Sequence, residues 1–216
     1  MIDVLAKGRR LAEDNRRWLR ARAVTMINVM SSPGAGKTTL LERTVRELAP
    51  RIPVLVVEGD QATSLDADRI RAAGARAVQV NTGAGCHLDP HMVRHALEEL
   101  DPPRGSCVFV ENVGNLVCPA LFDLGEAERV VVISPPEGDD KPLKYPHMFQ
   151  SASLVVLNKI DLADLVPFDR GAFARNVARA SPRSEVLELS AWRGDGAAAW
   201  EGWVEARVAR AIEAAP

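Results

Sequence analysis

Hydrophobic and polar positions along the chain change period several times. Over residues 2–22, Val4, Leu5, Leu11, Ala12, Trp18 and Leu19 recur at heptad-like spacing and predict an amphipathic helix. Its other face carries Lys7, Arg9, Arg10, Arg16, Arg17 and Arg20, diluted by Glu13 and Asp14. That mixture fits the solvated side of a docked helix better than a membrane-surface or nucleic-acid helix. Beyond it, apolar runs at 24–30, 54–58, 75–80, 107–111, 129–134, 153–158 and 185–190 read as strands. Helical patterns over 38–48, 65–73, 90–100 and 197–214 alternate with them, and Asp89 followed by Pro90 supplies a cap and first turn for the third. Continuous rather than alternating apolar strands belong to a sheet covered on both faces. The expected fold is therefore α/β: a mainly parallel sheet with helices on both faces. Residues 1–22 form an added N-terminal helix and residues 23–216 one nucleotide-binding domain. The Pro/Gly-rich segment 134–146 reads as a long functional loop.

Composition narrows the setting. Of 216 residues, 47% are hydrophobic and 26% charged, and the net charge of -2 favours neither nucleic acid nor an acidic membrane. No apolar run approaches the ~20 residues of a spanning helix, and "MIDVLAKGRR" lacks a signal-peptide core. Three cysteines are too few for a disulfide framework. The expectation is a cytoplasmic protein whose thiols are free to hold metal.

The most specific chemistry lies in "SSPGAGKTT", between the first sheet strand and a helix, the place and composition of a P-loop. Gly34, Ala35 and Gly36 let backbone N–H groups curl round phosphate oxygens. Lys37 brings positive charge to the outer phosphates, Thr38 offers Mg²⁺ a hydroxyl, and Thr39 continues the helix N-terminus. Ser31 stands where the usual pattern has its first glycine. Asp60, in "VEGDQ", is a second candidate Mg²⁺ ligand, and Glu111, closing "CVFVE", is the Walker-B-type carboxylate. Lys37, Asp60 and Glu111 are thus the candidate catalytic residues. Gly114, in "ENVG", sits where a switch loop senses the γ-phosphate through its N–H. No arginine finger or catalytic glutamine is legible, so slow turnover is expected.

"VVLNKIDL" puts Asn158, Lys159 and Asp161 in the N-K-x-D order of GTPases. The Asp161 carboxylate suits guanine N1 and N2, a pair that adenine lacks, and the Lys159 stem covers the ring. Ser190 and Ala191, in "LSA", fit the loop whose N–H reads guanine O6. GTP is therefore the expected nucleotide.

Cys86 and His87 are adjacent in the glycine-rich "TGAGCHLD", and Cys118 follows the switch segment in "ENVGNLVCP". Two thiolates and an imidazole suit Zn²⁺ or Ni²⁺ better than Mg²⁺. From the residues alone, two unrelated buried thiols and a redox disulfide remain alternatives. Cys107 sits within a strand and reads as core. His91 and His95, one helical turn apart, read as an exposed face, with an auxiliary metal pair as the alternative.

Taken together, these segments resemble the HypB family of hydrogenase-maturation nickel-insertion GTPases, in the SIMIBI class of P-loop GTPases. The likeness runs through "VLAKGRRLAEDNRRWL", "SSPGAGKTTLLE", "VEGDQ", "NTGAGCHLD", "FVENVGNLVCP", "EGDDKPLKYPHMF", "LNKIDL" and "SAWRGDG". It implies that Cys86, His87 and Cys118 form a nickel or zinc site near the interface of a GTP- and/or metal-dependent homodimer. It also implies nickel delivery to the large subunit of [NiFe]-hydrogenase, with a zinc-binding accessory protein as partner. The Cys-rich or His-rich N-terminal storage segments of some members are absent here. Lys141 and Lys144 are candidates for contacting nucleotide across a dimer. A urease-maturation metallochaperone carries Cys-Pro-His, whereas Cys86 and His87 are adjacent. A nucleotide-gated binding module with structural cysteines is the non-catalytic alternative.

Overall fold

The computed structural model describes residues 2–60, 65–83 and 85–216, without the side chains of 2–6. Among them, seven strands form one sheet in the order β3-β2-β4-β1-β5-β6-β7. They are β1 (Thr25–Ser31), β2 (Val54–Asp60), β3 (Arg76–Asn81), β4 (Cys107–Glu111), β5 (Glu128–Ile133), β6 (Leu154–Leu157) and β7 (Glu185–Glu188). Every pairing is parallel. The helices are α1 (Ile2–Ala21), α2 (Lys37–Leu48), α3 (Leu65–Ala73), α4 (Pro90–Leu100), α5 (Lys141–Lys144), α6 (Pro146–Ser151), α7 (Arg170–Ala180) and α8 (Ala197–Glu213).

Strand alternation explains the two covered faces. In β1, Ile27 and Val29 join α2 and α8 residues such as Leu40, Leu41, Trp200 and Val204 in one core. Met26 points the other way, among Leu88, Val93, Leu97 and Val108, and Met30 packs with Phe149 and Phe173. A central strand buried on both sides must be apolar throughout, and β1 is buried along its whole length.

One expectation is revised. Segment 134–146 is not an open loop: it folds into a 3-10 turn (Pro135–Glu137), α5 and the start of α6. Ser134 and Glu137 cap the turn reciprocally, so Pro and Gly here begin and end short helices. A helix that the apolar pattern left unassigned is α7, whose apolar positions Phe173, Val177 and Ala180 are spaced among arginines. Asp169 caps it by accepting the Ala172 N–H.

α1 docks rather than floating free. Asn15 is buried, and its Nδ2 donates to the carbonyls of Pro90 (2.8 Å) and Leu124 (3.0 Å). Arg16 forms a bidentate pair with Asp123 at 2.8 and 2.9 Å. Gly125 lies directly against α1, since a Cβ there would collide with the Ala12 carbonyl. Lys7, Arg9, Arg10, Arg17 and Arg20 stay exposed.

Candidate functional site

The carboxyl ends of β1, β2, β3, β4 and β6 carry three motifs, at the place where open α/β sheets bind ligands. After β1 the chain turns through Gly34 (φ 79°) and Gly36 (φ 94°) into α2. Gly36 is compulsory: a Cβ there would stand 2.6 Å from Asn158 Nδ2. The Lys37 ammonium donates to Ser31 Oγ at 2.9 Å and lies 3.9 Å from the Glu111 carboxylate. Ser31, the departure from the glycine pattern, thus serves as a seat for the lysine. Thr38 Oγ1 donates to Glu111 Oε1 at 2.9 Å, and Glu111 Oε2 is buried without a hydrogen-bond partner.

Glu58 is the residue that sequence reasoning missed. It is register partner to Glu111 on the adjacent strand and is 2% exposed. Burial, then the neighbouring Glu111 carboxylate, push Glu58 up to about 10. Burial also raises Glu111, against the pull of Lys37 and Thr38. The signal was the acid placed before Gly59 in an otherwise apolar run. Asp60 ends β2, and its carbonyl accepts the Thr82 N–H at 3.0 Å. A hydroxyl and carboxylates around a phosphate loop are the hard oxygen donors that Mg²⁺ takes, so Thr38, Asp60 and the orphaned Glu111 oxygen fit that ion. Gly114 packs on the P-loop itself: a Cβ there would lie 3.1 Å from Pro33 atoms. Thr39 Oγ1 faces the Arg69 guanidinium at 3.4 Å.

The base-reading segment is tied to the same loop. Buried Asn158 donates to the Ala35 carbonyl and accepts the Ala191 N–H, both at 2.9 Å. Lys159 takes a left-handed conformation (φ 60°), and its ammonium donates to the Gly34 carbonyl at 2.6 Å. Asp161 Oδ1 is buried and has no hydrogen-bond partner, an acceptor awaiting donors. In the loop expected to read guanine O6, the Ala191 N–H donates to Asn158 Oδ1, and the Ser190 N–H to the Asp195 carbonyl at 2.8 Å. Ser190 Oγ accepts the Arg193 N–H.

The third motif is the thiol–imidazole cluster. One ligand atom from each of Cys86, His87 and Cys118 lies within 4.8 Å of the other two. Cys86 Sγ is 3.6 Å from His87 Nδ1. The Cys118 side chain first, then desolvation, raise the Cys86 thiol, while burial lowers His87. The His87 ring stacks on Phe122, centroids 3.8 Å apart. Two asparagines set the loops. Asn115 Oδ1 accepts the N–H groups of Val117 and Cys118, and Asn112 Oδ1 accepts those of Leu88 and Val113. Leu88 is fully buried against Gly59, where a Cβ would meet it at 2.7 Å. Donor types and spacing suit Zn²⁺ or Ni²⁺. All three cysteines are unbridged, and Cys107 is buried in β4 as expected. Lys144 pairs with Asp140, and Lys141 lies 5.4 Å from the Tyr145 ring centroid. His91 and His95 are exposed on α4.

A parallel sheet with this loop after its central strand, and an N-K-x-D segment locked to the loop, defines the class: a P-loop protein with the GTPase fold. The description "CobW/HypB/UreG, nucleotide-binding domain" matches residues 25–188. The hydrogenase maturation factor HypB of Rhizobium leguminosarum bv. viciae is 54% identical over 208 residues, covering 96% of this chain and 70% of that protein. Among solved structures, HypB from Archaeoglobus fulgidus superposes with TM-score 0.88 at 37% identity, covering 94% of this chain and 100% of that one. HypB from Helicobacter pylori, solved in complex with nickel, gives 0.87 at 33%, covering 94% and 96%. The chain belongs to the CobW/HypB/UreG family and, within it, to the HypB hydrogenase maturation factors.

Proposed function

We propose that the chain is a slow GTPase and metallochaperone that holds Ni²⁺, with Zn²⁺ as its rival, and couples nucleotide state to metal delivery during [NiFe]-hydrogenase maturation. One observation carries the reading: the loops bearing Cys86–His87 and Cys118 are bonded to the nucleotide elements. Leu88, next to His87, packs on Gly59 between Glu58 and Asp60. Asn112, next to Glu111, holds the Leu88 N–H. A phosphate-dependent shift of Asp60 or Gly114 therefore reaches the metal ligands through two residues.

In the reaction GTP becomes GDP and phosphate. The loop N–H groups, the α2 N-terminus and the Lys37 ammonium stabilise charge on the transferring phosphoryl. Mg²⁺, held by Thr38 and Asp60 with Glu111 beside them, supplies further charge neutralisation when bound. The orphaned Asp161 oxygen selects guanine. Loss of the γ-phosphate releases the Asp60 and Gly114 loops and changes the geometry around Cys86, His87 and Cys118. Cytoplasmic action as a homodimer, with a zinc-binding accessory protein and the hydrogenase large subunit as partners, completes the proposal.

Ni²⁺ titration with a non-hydrolysable GTP analogue and with GDP tests it. Different affinity or release rate in the two states is expected. Equality of both would remove the coupling, because a ligand without differential affinity shifts no equilibrium.

A further inference from the structure

Arg43 stands on α2, the helix that the phosphate loop opens, and reaches across to the loop that follows β7. Its Nε donates to the Ala191 carbonyl at 2.7 Å and its Nη2 to the Trp192 carbonyl at 3.2 Å. One planar guanidinium thus fixes two successive peptide groups, a grip that its rigid fork of donors suits. Glu47, one turn further along α2, faces Arg43 Nη1 at 3.8 Å. Gly194 leaves room for the guanidinium: a Cβ there would stand 3.0 Å from Arg43 Nη1.

The amides of the same loop show which donor that grip leaves over. The Ser190 N–H donates to the Asp195 carbonyl, the Ala191 N–H to Asn158 Oδ1, the Arg193 N–H to Ser190 Oγ and the Gly194 N–H to the Ser190 carbonyl. Among the described residues the Trp192 N–H has no such acceptor. It belongs to the same peptide group as the Ala191 carbonyl. That peptide is trans, so its N–H and C=O point to opposite sides. With the carbonyl held by Arg43, the N–H is aimed away from the guanidinium. A cationic donor on the carbonyl also polarises the peptide and strengthens its N–H as a donor. The preceding peptide is held by Asn158, in the segment where the Asp161 oxygen is buried and unpaired.

We propose that Arg43 is a positioning residue that sets base specificity: it orients the Ala191–Trp192 peptide so that the Trp192 N–H donates to guanine O6. Asp161 accepts from guanine N1 and N2, and the Trp192 amide completes the reading on the adjacent edge. Adenine carries an amino group in place of O6, so it would set a donor against a donor. The inference rests on the guanine reading proposed above and adds the amide that meets O6 and the side chain that holds it in place.

The test is calorimetric binding of three diphosphates to the full chain with Mg²⁺. Guanosine and inosine diphosphate carry the O6 acceptor, and 2-aminopurine riboside diphosphate lacks it. Arg43→Ala is expected to weaken the first two by about five- to ten-fold, the worth of one hydrogen bond, and to leave the third unchanged. Arg43 lies outside the buried core. Arg43→Lys keeps the charge and one donor, and is expected to show the same selectivity with a smaller loss. Equal weakening of all three diphosphates, the mark of a merely structural role, overturns the proposal, as does wild-type affinity for guanosine diphosphate in Arg43→Ala. A wild type that binds adenosine diphosphate as tightly as guanosine diphosphate would remove the guanine reading and this inference with it. Failure of the inference alone leaves the wild-type preference for guanine intact, so the two failures are distinguishable.

Discussion

Asn112 Oδ1 accepts the backbone N–H of Leu88 at 3.2 Å, joining the residue after Glu111 to the residue after His87. Its Nδ2 donates to Asn28 Oδ1 on the central strand at 3.3 Å. Asn112→Ala would leave the buried Leu88 N–H unpaired, a loss of about 1–3 kcal/mol. The expected result is a lower unfolding midpoint in denaturant and a smaller gap between Ni²⁺ affinities in the GTP-analogue and GDP states. An unchanged gap would mean that coupling does not pass through this bond.

Asp161→Asn should weaken GTP binding and favour xanthosine triphosphate. The unpaired buried Oδ1 of Asp161 is an acceptor that guanine N–H groups fit. An asparagine amide presents a donor instead, matching the carbonyl that xanthine has where guanine has an amine. Losing a charge-assisted hydrogen bond costs about 1.5–3 kcal/mol, a ten- to hundred-fold loss of GTP affinity. Competition binding with the two nucleotides checks it, and wild-type GTP affinity would remove the base assignment.

Glu58 sets a pH dependence. Its folded-state pKa, about 10, lies above the ordinary value of 4.5, so the folded protein keeps a proton that the unfolded chain gives up. That contribution to stability is complete below about pH 4.5 and is lost progressively as pH rises toward 10. The slope is at most about 1.4 kcal/mol per pH unit for one proton. Glu58→Gln should flatten the fall in stability of nucleotide-free protein between pH 6 and 9, measured by urea denaturation across that range. Parallel curves for the two proteins would show that Glu58 is ionised when folded.

Cys118→Ala should remove tight metal from the cluster, whereas Cys107→Ala, buried in β4, should lower stability and leave metal content alone. Cavity formation at a small core residue makes the second effect modest. Elemental analysis of the purified variants reads both. Tight, stoichiometric metal retained without Cys118 would mean that the thiols do not share an ion.

Much of this architecture was legible because one-dimensional signals suffice for it. Continuous apolar runs marked the strands, and Asp89–Pro90 marked the start of α4 to the residue. The P-loop and N-K-x-D segments were legible because each is contiguous. What escaped depended on pairing across the sheet. Glu58 becomes significant only when β2 and β4 align it with Glu111, and no periodicity reports that register. α7 was missed because alternating arginines and small residues dilute its apolar stripe, so packing on Phe149 and Val155 decides its helicity. The bond between the Ala191 N–H and Asn158 likewise joins residues 33 positions apart, a pairing that only the fold creates.

Asn15 bonds simultaneously to the carbonyls of Pro90 and Leu124, one just beyond the Cys86–His87 loop and the other beyond Cys118. The N-terminal helix is therefore a crossbar between the chain segments that follow the two halves of the thiol cluster. Any rearrangement that preserves those two bonds keeps the Pro90 and Leu124 carbonyls together, so movement is left to the short loops between them and the ligands. Loop movement of that kind changes angles at the ligand atoms, and angle is the property on which one metal's preferred geometry differs from another's.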